Sequence, residues 1–468
     1  MKRPRFTWAG LAVVAAAWLL LVVGARWTAA QSSGNCSATY KVDMTLPTGA
    51  RWTMCWEPRL NEGIVLHDVT FTPPGGTARL VLAQASMAQI HVPYDDNGAR
   101  FHDVSDYGLG GDRLLDLAPA DCPSGTLLAD QGKDMLCRTT VNRGYAYKHA
   151  STQLQGYALN LFSVSKIGEY NYIVEWTFSD DGAIEPAVRA TGQLQRTGAN
   201  PDYGWPLDSL NSRFGIAHTH NYYWRLDFDV DGSANDVVEE IDFTPSPTRN
   251  SWTLNVNELG TEAGRQVDAT AFRFWRIKDS SVENADGHPI SYELLPESSN
   301  VFRGPAYEPF TQNEFYVTVY NACEQWASHN PTSGGCGENL ASFVNGQSLS
   351  GADLVLWYGV AFHHLPIEED EIYMNAHRTA FTLRPRDWTA DNPLANAGSG
   401  GPTATSPPTL TRTATPTATA TRTSTATATA TLTAGPAGTA TATLTPTATQ
   451  ATGSNDVFFF VLLPVVRR

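Results

Sequence analysis

Between Cys36 and Leu394 no stretch of this 468-residue chain sustains the 3.6-residue apolar spacing of a helix. Short apolar runs rich in Val, Tyr, Phe and Trp are broken by Gly, Pro, Asn and Asp instead. β-branched and aromatic residues suit a pleated, half-buried surface, so the texture is that of strands. Tyr172 to Phe178 runs into Asp180-Asp181-Gly182, and Tyr222 to Val230 runs into Asp231-Gly232. Each reads as a strand followed by a hairpin turn. Asp353 to Phe362 is a third long strand candidate. No internal repeat has solenoid or propeller spacing. The expected fold class is all-β, a large antiparallel sandwich.

Both ends differ from this middle. Lys2, Arg3 and Arg5 precede an apolar run from Leu11 to Val23, and Thr28-Ala29-Ala30 offers small residues before Gln31. Residues 1–30 read as a signal peptide, because the run is short for a membrane span. From 398 to 455 the chain is almost entirely Thr, Ala, Pro, Ser and Gly. That composition cannot bury enough apolar surface to offset chain entropy, and it reads as a disordered stalk. Residues 456–468 form a short apolar tail ending in Arg467 and Arg468, readable as a sorting or anchoring tag or as an ordinary frayed end. The expected location is secreted or cell surface. Six cysteines in an exported chain imply disulfides. Short-range pairs Cys36–Cys55, Cys122–Cys137 and Cys323–Cys336 are the simplest of the connectivities, and no Cys/His zinc spacing competes for the thiols.

A formal charge of −15 excludes nucleic acid as a natural partner, since little is available to neutralise phosphates. The chemistry-bearing feature is His218-Thr219-His220 at the head of a strand-like run. Residues two apart on a strand share a face, so both imidazoles can reach one ion. His363 or His364, far along the chain, could supply a third nitrogen. Three imidazoles with open positions suit copper or zinc.

The residues around these histidines resemble the copper amine oxidase family. His218-Thr219-His220, followed by Arg225-Leu226-Asp227-Phe228-Asp229-Val230-Asp231-Gly232, is similar to its H-x-H and R-L-D-x-D-x-D-G pattern. Leu356-Trp357-Tyr358, then His364-Leu365-Pro366 and Glu369-Asp370, resemble its third-ligand segment. Val92-Pro93-Tyr94 and Asp103 to Gly110 resemble its V-P-Y and D-x-G-x-Y-G-x-G elements, and Gly168-Glu169-Tyr170-Asn171-Tyr172 resembles the N-Y-D/E-Y cofactor motif. These stand in the family's order through a domain expected at 36–395, without the smaller N-terminal domains.

The resemblance implies a primary-amine oxidase that releases aldehyde, ammonia and hydrogen peroxide. It assigns copper to His218, His220 and His364, the topaquinone precursor to Tyr170, the catalytic base to Asp103, and a quinone hydrogen bond to Tyr94. Asp227, Asp229 and Asp353, with the carbonyls of Phe228 and Leu354, match a second, calcium-like site. Carboxylate oxygens suit that hard cation. A homodimer is implied in the same way. The pattern departs at Glu169, where the family has Asn, at Asn171, where it has an acid, and at Lys166, where it has Thr. Glu169 and Lys166 could pair, could alter quinone mobility or could block its formation. An inactive surface module, or a copper or zinc protein without a quinone, are therefore the alternatives. Tyr172 is the rival precursor, Asp106 the rival base and His363 the rival ligand. The Tyr94-to-Asp103 spacing implies a trimmed loop, with Phe101 as a gating aromatic.

Overall fold

The computed structural model describes residues 36–297 and 300–395. The expected signal peptide, disordered stalk and C-terminal tail lie outside the described residues. Two antiparallel sheets account for most of the structure. One runs Lys41–Thr45, Arg51–Arg59, Gly63–Thr72, Arg79–Pro93, His218–Phe228, Leu354–His364, Phe315–Val319 and Ala263–Arg265, with Arg100–His102 paired beside Arg79–Pro93. The other has eleven strands, and its middle is Thr152–Ile167, Tyr170–Ser179 and Ile184–Gly192. Helix is confined to single turns among the described residues, the α-helical one being Leu340–Phe343.

The alternation of side chains on each strand builds the core between the sheets. Tyr222, Trp224, Leu226 and Phe228 enter it from the first sheet; Tyr170, Tyr172, Val174, Trp176 and Phe178 enter from the second. Trp176 meets Trp224 edge-on at 4.8 Å between ring centroids, and Trp275 stacks on Phe315 at 4.2 Å. Both tryptophans of the first pair are almost fully buried. Trp224→Ala would remove enough packed volume to cost about 3–5 kcal/mol.

One expected hairpin is absent. The strand His218–Phe228 does not fold back at Asp231-Gly232, because both of its edges are already taken, by Arg79–Pro93 and by Leu354–His364. The chain crosses instead to Asp236–Pro245 in the other sheet. The turn at Asp180-Asp181-Gly182 does form a hairpin, joining Tyr170–Ser179 to Ile184–Gly192. All three short-range disulfides are present, Cys36–Cys55, Cys122–Cys137 and Cys323–Cys336.

Candidate active site

Register creates the site. In the pair of strands His218–Phe228 and Leu354–His364, His218 lies directly opposite His364. His220, two residues along the same strand, shares the face of His218. The ring nitrogens converge: His218 Nε2 is 3.1 Å from His220 Nε2 and 3.4 Å from His364 Nδ1. Tetrahedral ligand nitrogens at about 2.0 Å from an ion stand roughly 3.3 Å apart, so the spacing fits one metal. Partners fix which nitrogen faces inward. His218 Nδ1 donates to the Ile216 carbonyl at 2.9 Å, leaving Nε2 with its lone pair. His364 Nε2 donates to Asp370 at 3.1 Å, leaving Nδ1 free. Burial keeps all three imidazoles neutral, His218 being pushed down to about 3, which is the form a metal needs. His363 lies elsewhere, half-exposed and bonded to Asp95 at 2.8 Å.

Tyr170 reaches this triad from the facing sheet. It opens its strand immediately after a two-residue turn in which Gly168 takes a φ of +58°, the left-handed conformation glycine permits. Its hydroxyl lies 2.8 Å from His218 Nε2, and its ring stands 5.0 Å from that of His220. Burial pushes its phenol well above the usual range, with Tyr94 and Tyr222 adding to the effect. A bound cation at the triad would act in the opposite sense. Tyr94 stacks on His218 at 4.5 Å between ring centroids, and the Arg196 guanidinium lies over the Tyr94 ring, 5.1 Å from its centroid.

Asp103 begins a single π-helical turn, Asp103–Tyr107, closed by the Gly108 N–H onto the Asp103 carbonyl at 2.9 Å. Such turns insert one extra residue and re-aim a side chain. Asp103 is 4% exposed, and its Oδ2 accepts from the Tyr172 hydroxyl at 3.0 Å. Burial raises its carboxyl to about 7, against the lowering effect of the Tyr172 bond. Asp106, the rival base, is exposed and engaged with His329 at 2.9 Å. Tyr94, Phe101, Asp103, Tyr170 and Tyr172 line one cavity of about 290 Å³, with Arg113 and Gln195 also at its wall. The short connection from Tyr94 returns through Arg100–His102, paired on Arg79–Pro93, and sets Phe101 at this wall.

The departures from the cofactor motif lie off the cavity. Glu169 and Lys166 are both exposed, and no ion pair joins them among the described residues. Lys166 faces Asn171 across the strands rather than Tyr170. Four contributors had no signature in sequence. Arg113 and Gln195 sit in unremarkable loops; Arg196 and the Tyr172 to Asp103 hydrogen bond arise only from the pairing of distant segments.

A second cluster lies where the histidine strand ends. Oxygens of Asp227, Asp229 and Asp353 come within 4.8 Å of one another, and one buried oxygen of each has no hydrogen-bond partner. Phe228 and Leu354, whose carbonyls were expected there, are cross-strand partners. Burial and mutual repulsion raise Asp229 to about 7 and Asp353 to about 6. Asp236, which the sequence did not single out, is a further carboxyl near this cluster, buried, raised to about 9 by that burial and accepting from the Val230 N–H.

Comparisons with known proteins agree with this geometry. Residues 48–400 match the family model described as copper amine oxidase, enzyme domain. Amine oxidase gamma 2 (copper-containing) of Arabidopsis thaliana is 26% identical over 400 residues, covering 74% of this chain and 58% of that protein. A primary amine oxidase of Arthrobacter sp. (strain P1) is 26% identical over 417 residues, covering 78% and 63%. The chain spans about three fifths of the length of these relatives. Among solved structures, a copper-containing benzylamine oxidase from Hansenula polymorpha superposes with a TM-score of 0.65 at 19% identity, over 76% of this chain and 61% of that one. That likeness shows a shared fold.

Proposed function

Since the chain belongs to the copper amine oxidase family, carrying its enzyme domain over residues 48–400, we propose that it oxidises primary amines with dioxygen to aldehyde, ammonia and hydrogen peroxide. His218, His220 and His364 would hold copper, and Tyr170 would be the precursor of topaquinone. Together these groups supply the two-electron redox chemistry that no ordinary side chain has.

The chain's own residues do the rest. Asp103 is placed to take the proton from the α-carbon of the amine. Its Oδ2 accepts from Tyr172, and the residue lines the cavity. A carboxyl raised to about 7 is basic enough to accept that proton and still largely ionised at slightly alkaline pH. Asp370 and the Ile216 carbonyl orient the His364 and His218 imidazoles. Tyr94 stacks on His218 and borders the cavity. Phe101 and Tyr107 narrow the cavity, which limits water at the reacting carbon.

The observation that carries the proposal is the Tyr170 hydroxyl 2.8 Å from the central nitrogen of a three-histidine cluster. Mass spectrometry of the Tyr170 peptide after copper loading in air tests it. The peptide should gain two oxygens and lose two hydrogens. An unmodified Tyr170 in copper-loaded protein would favour the inactive-module or simple metalloprotein readings.

The unpartnered oxygens of Asp227, Asp229 and Asp353 support calcium at the second site. A homodimer, as the resemblance implies, is supported by the exposed strand Trp252–Glu258, which shows Trp252, Leu254 and Val256 to solvent. Three disulfides support an exported location, secreted or on the cell surface.

A further inference from the structure

Asp103 sits on a turn that has little to hold it from within. One hydrogen bond closes Asp103–Tyr107, from the Gly108 N–H to the Asp103 carbonyl. A helical segment of a single turn leaves its first N–H groups without partners of their own. Two side chains from outside the turn supply what it lacks.

Gln89, on the strand Arg79–Pro93, is fully buried. Its Oε1 accepts from the Val104 N–H at 3.0 Å and from the Ile90 N–H at 3.1 Å. Its Nε2 donates to the Ser105 hydroxyl at 2.8 Å and to the Ser328 carbonyl at 3.1 Å. The amide can face only this way, because the oxygen meets two N–H groups and the nitrogen meets a carbonyl. The Ser328 hydroxyl, 3.1 Å from the same Nε2, lies 2.7 Å from His102 Nδ1. One buried amide therefore holds the residue after Asp103 directly and the residue before it through Ser328. Asn61 holds the turn from the other side. Its Nδ2 donates to the Val104 carbonyl at 2.9 Å, and its backbone carbonyl accepts from the Leu109 N–H at 2.8 Å. Both backbone polar groups of Val104 are thus taken by these two side chains.

We infer that Gln89 and Asn61 are positioning residues for the amine-oxidising reaction, which fix the backbone at Asp103 so that its carboxyl meets the α-carbon of the amine. Neither lines the cavity to which Asp103 belongs, so neither touches the substrate. Tyr172 holds the carboxyl from the facing sheet, and the two amides hold the chain behind it. A misplacement of about 1 Å at a reacting group costs on the order of 10²-fold in rate, which is what such a grip prevents. The inference rests on the reading of Asp103 as the base.

Steady-state peroxide release with benzylamine, counted per modified Tyr170 in the full copper-loaded protein, tests the assignment. Gln89→Leu should bind copper and modify Tyr170, since neither step uses Asp103. Its kcat should fall about 10–100-fold while KM stays within about threefold of the parent, because the cavity wall is unchanged. Asn61→Ala removes one hold of the two and should lower kcat about 3–10-fold. In an Asp103→Asn background neither change should lower the remaining turnover further, because each acts through a group already removed. A merely structural role would lower turnover by the same factor in both backgrounds, and that result overturns the inference. So does an unchanged kcat in both Gln89→Leu and Asn61→Ala while Asp103→Asn is slow. Near-normal turnover in Asp103→Asn itself removes the base assignment, and the inference with it. Asn61→Ala carries the test if Gln89→Leu fails to fold.

Discussion

Asp103→Asn should separate turnover from every earlier step. Asn keeps the shape of the side chain, and its carbonyl can still accept the Tyr172 hydroxyl now bonded at 3.0 Å. It cannot accept a proton. The variant should bind copper, modify Tyr170 and lose peroxide release with benzylamine by about 10²–10⁴-fold, the usual contribution of a positioned base. The same substitution has a second consequence with the opposite sign. Moving the carboxyl from 3.8 to about 7 means that the folded site disfavours the ionised form by about 4 kcal/mol. A raised folded pKa gives stability that is full below the unfolded pKa and lost as pH rises through about 7. Asn carries no such loss. Asp103→Asn should therefore match the parent only below about pH 4, exceed it by about 2 kcal/mol at pH 5 and by up to about 4 kcal/mol at pH 8.5 in denaturant unfolding. In the parent, kcat should rise with pH through about 7 as Asp103 ionises. Asp106→Asn should change little, because Asp106 is exposed. Near-normal turnover in Asp103→Asn with a collapse in Asp106→Asn would refute the assignment. Lost turnover without the alkaline gain in stability would leave the base and sink the burial argument.

Other outcomes follow from the same geometry. His364→Ala should abolish copper binding and the mass gain at Tyr170, whereas His363→Ala should retain both; metal analysis and peptide mass spectrometry would show the reverse if the triad is wrong. Calcium should raise the thermal midpoint more at pH 8 than at pH 5, because raised Asp229 and Asp353 carboxyls remove stability as pH climbs through about 6–7 unless a cation is present. A calcium response independent of pH would refute that. Non-reducing peptide mapping should recover Cys122–Cys137, and Cys122→Ser/Cys137→Ser should cost about 3 kcal/mol for the loop it closes, of 15 residues in sequence separation; free thiols at these positions would count against the pairing.

What the sequence determined was local. The β texture needs only propensity and turn residues, so the sandwich was legible, as was the shared face of His218 and His220. The ordered resemblance carried Tyr94, Asp103, Tyr170 and the aspartates in advance. The hairpin expected after Val230 failed because turn chemistry says that a strand ends, not which edges are free. The resemblance put His364 ahead of His363, but the residues alone left both open: adjacent residues on a strand face opposite ways, and pairing with His218 fixes which one faces the core. Tyr172 as the orienting donor of Asp103, and Asp236 beside the second cluster, depend on contacts between segments 69 residues apart in one case and on a sheet crossing in the other. Those contacts are set when two sheets bury their apolar faces against each other, and no spacing along the chain encodes them.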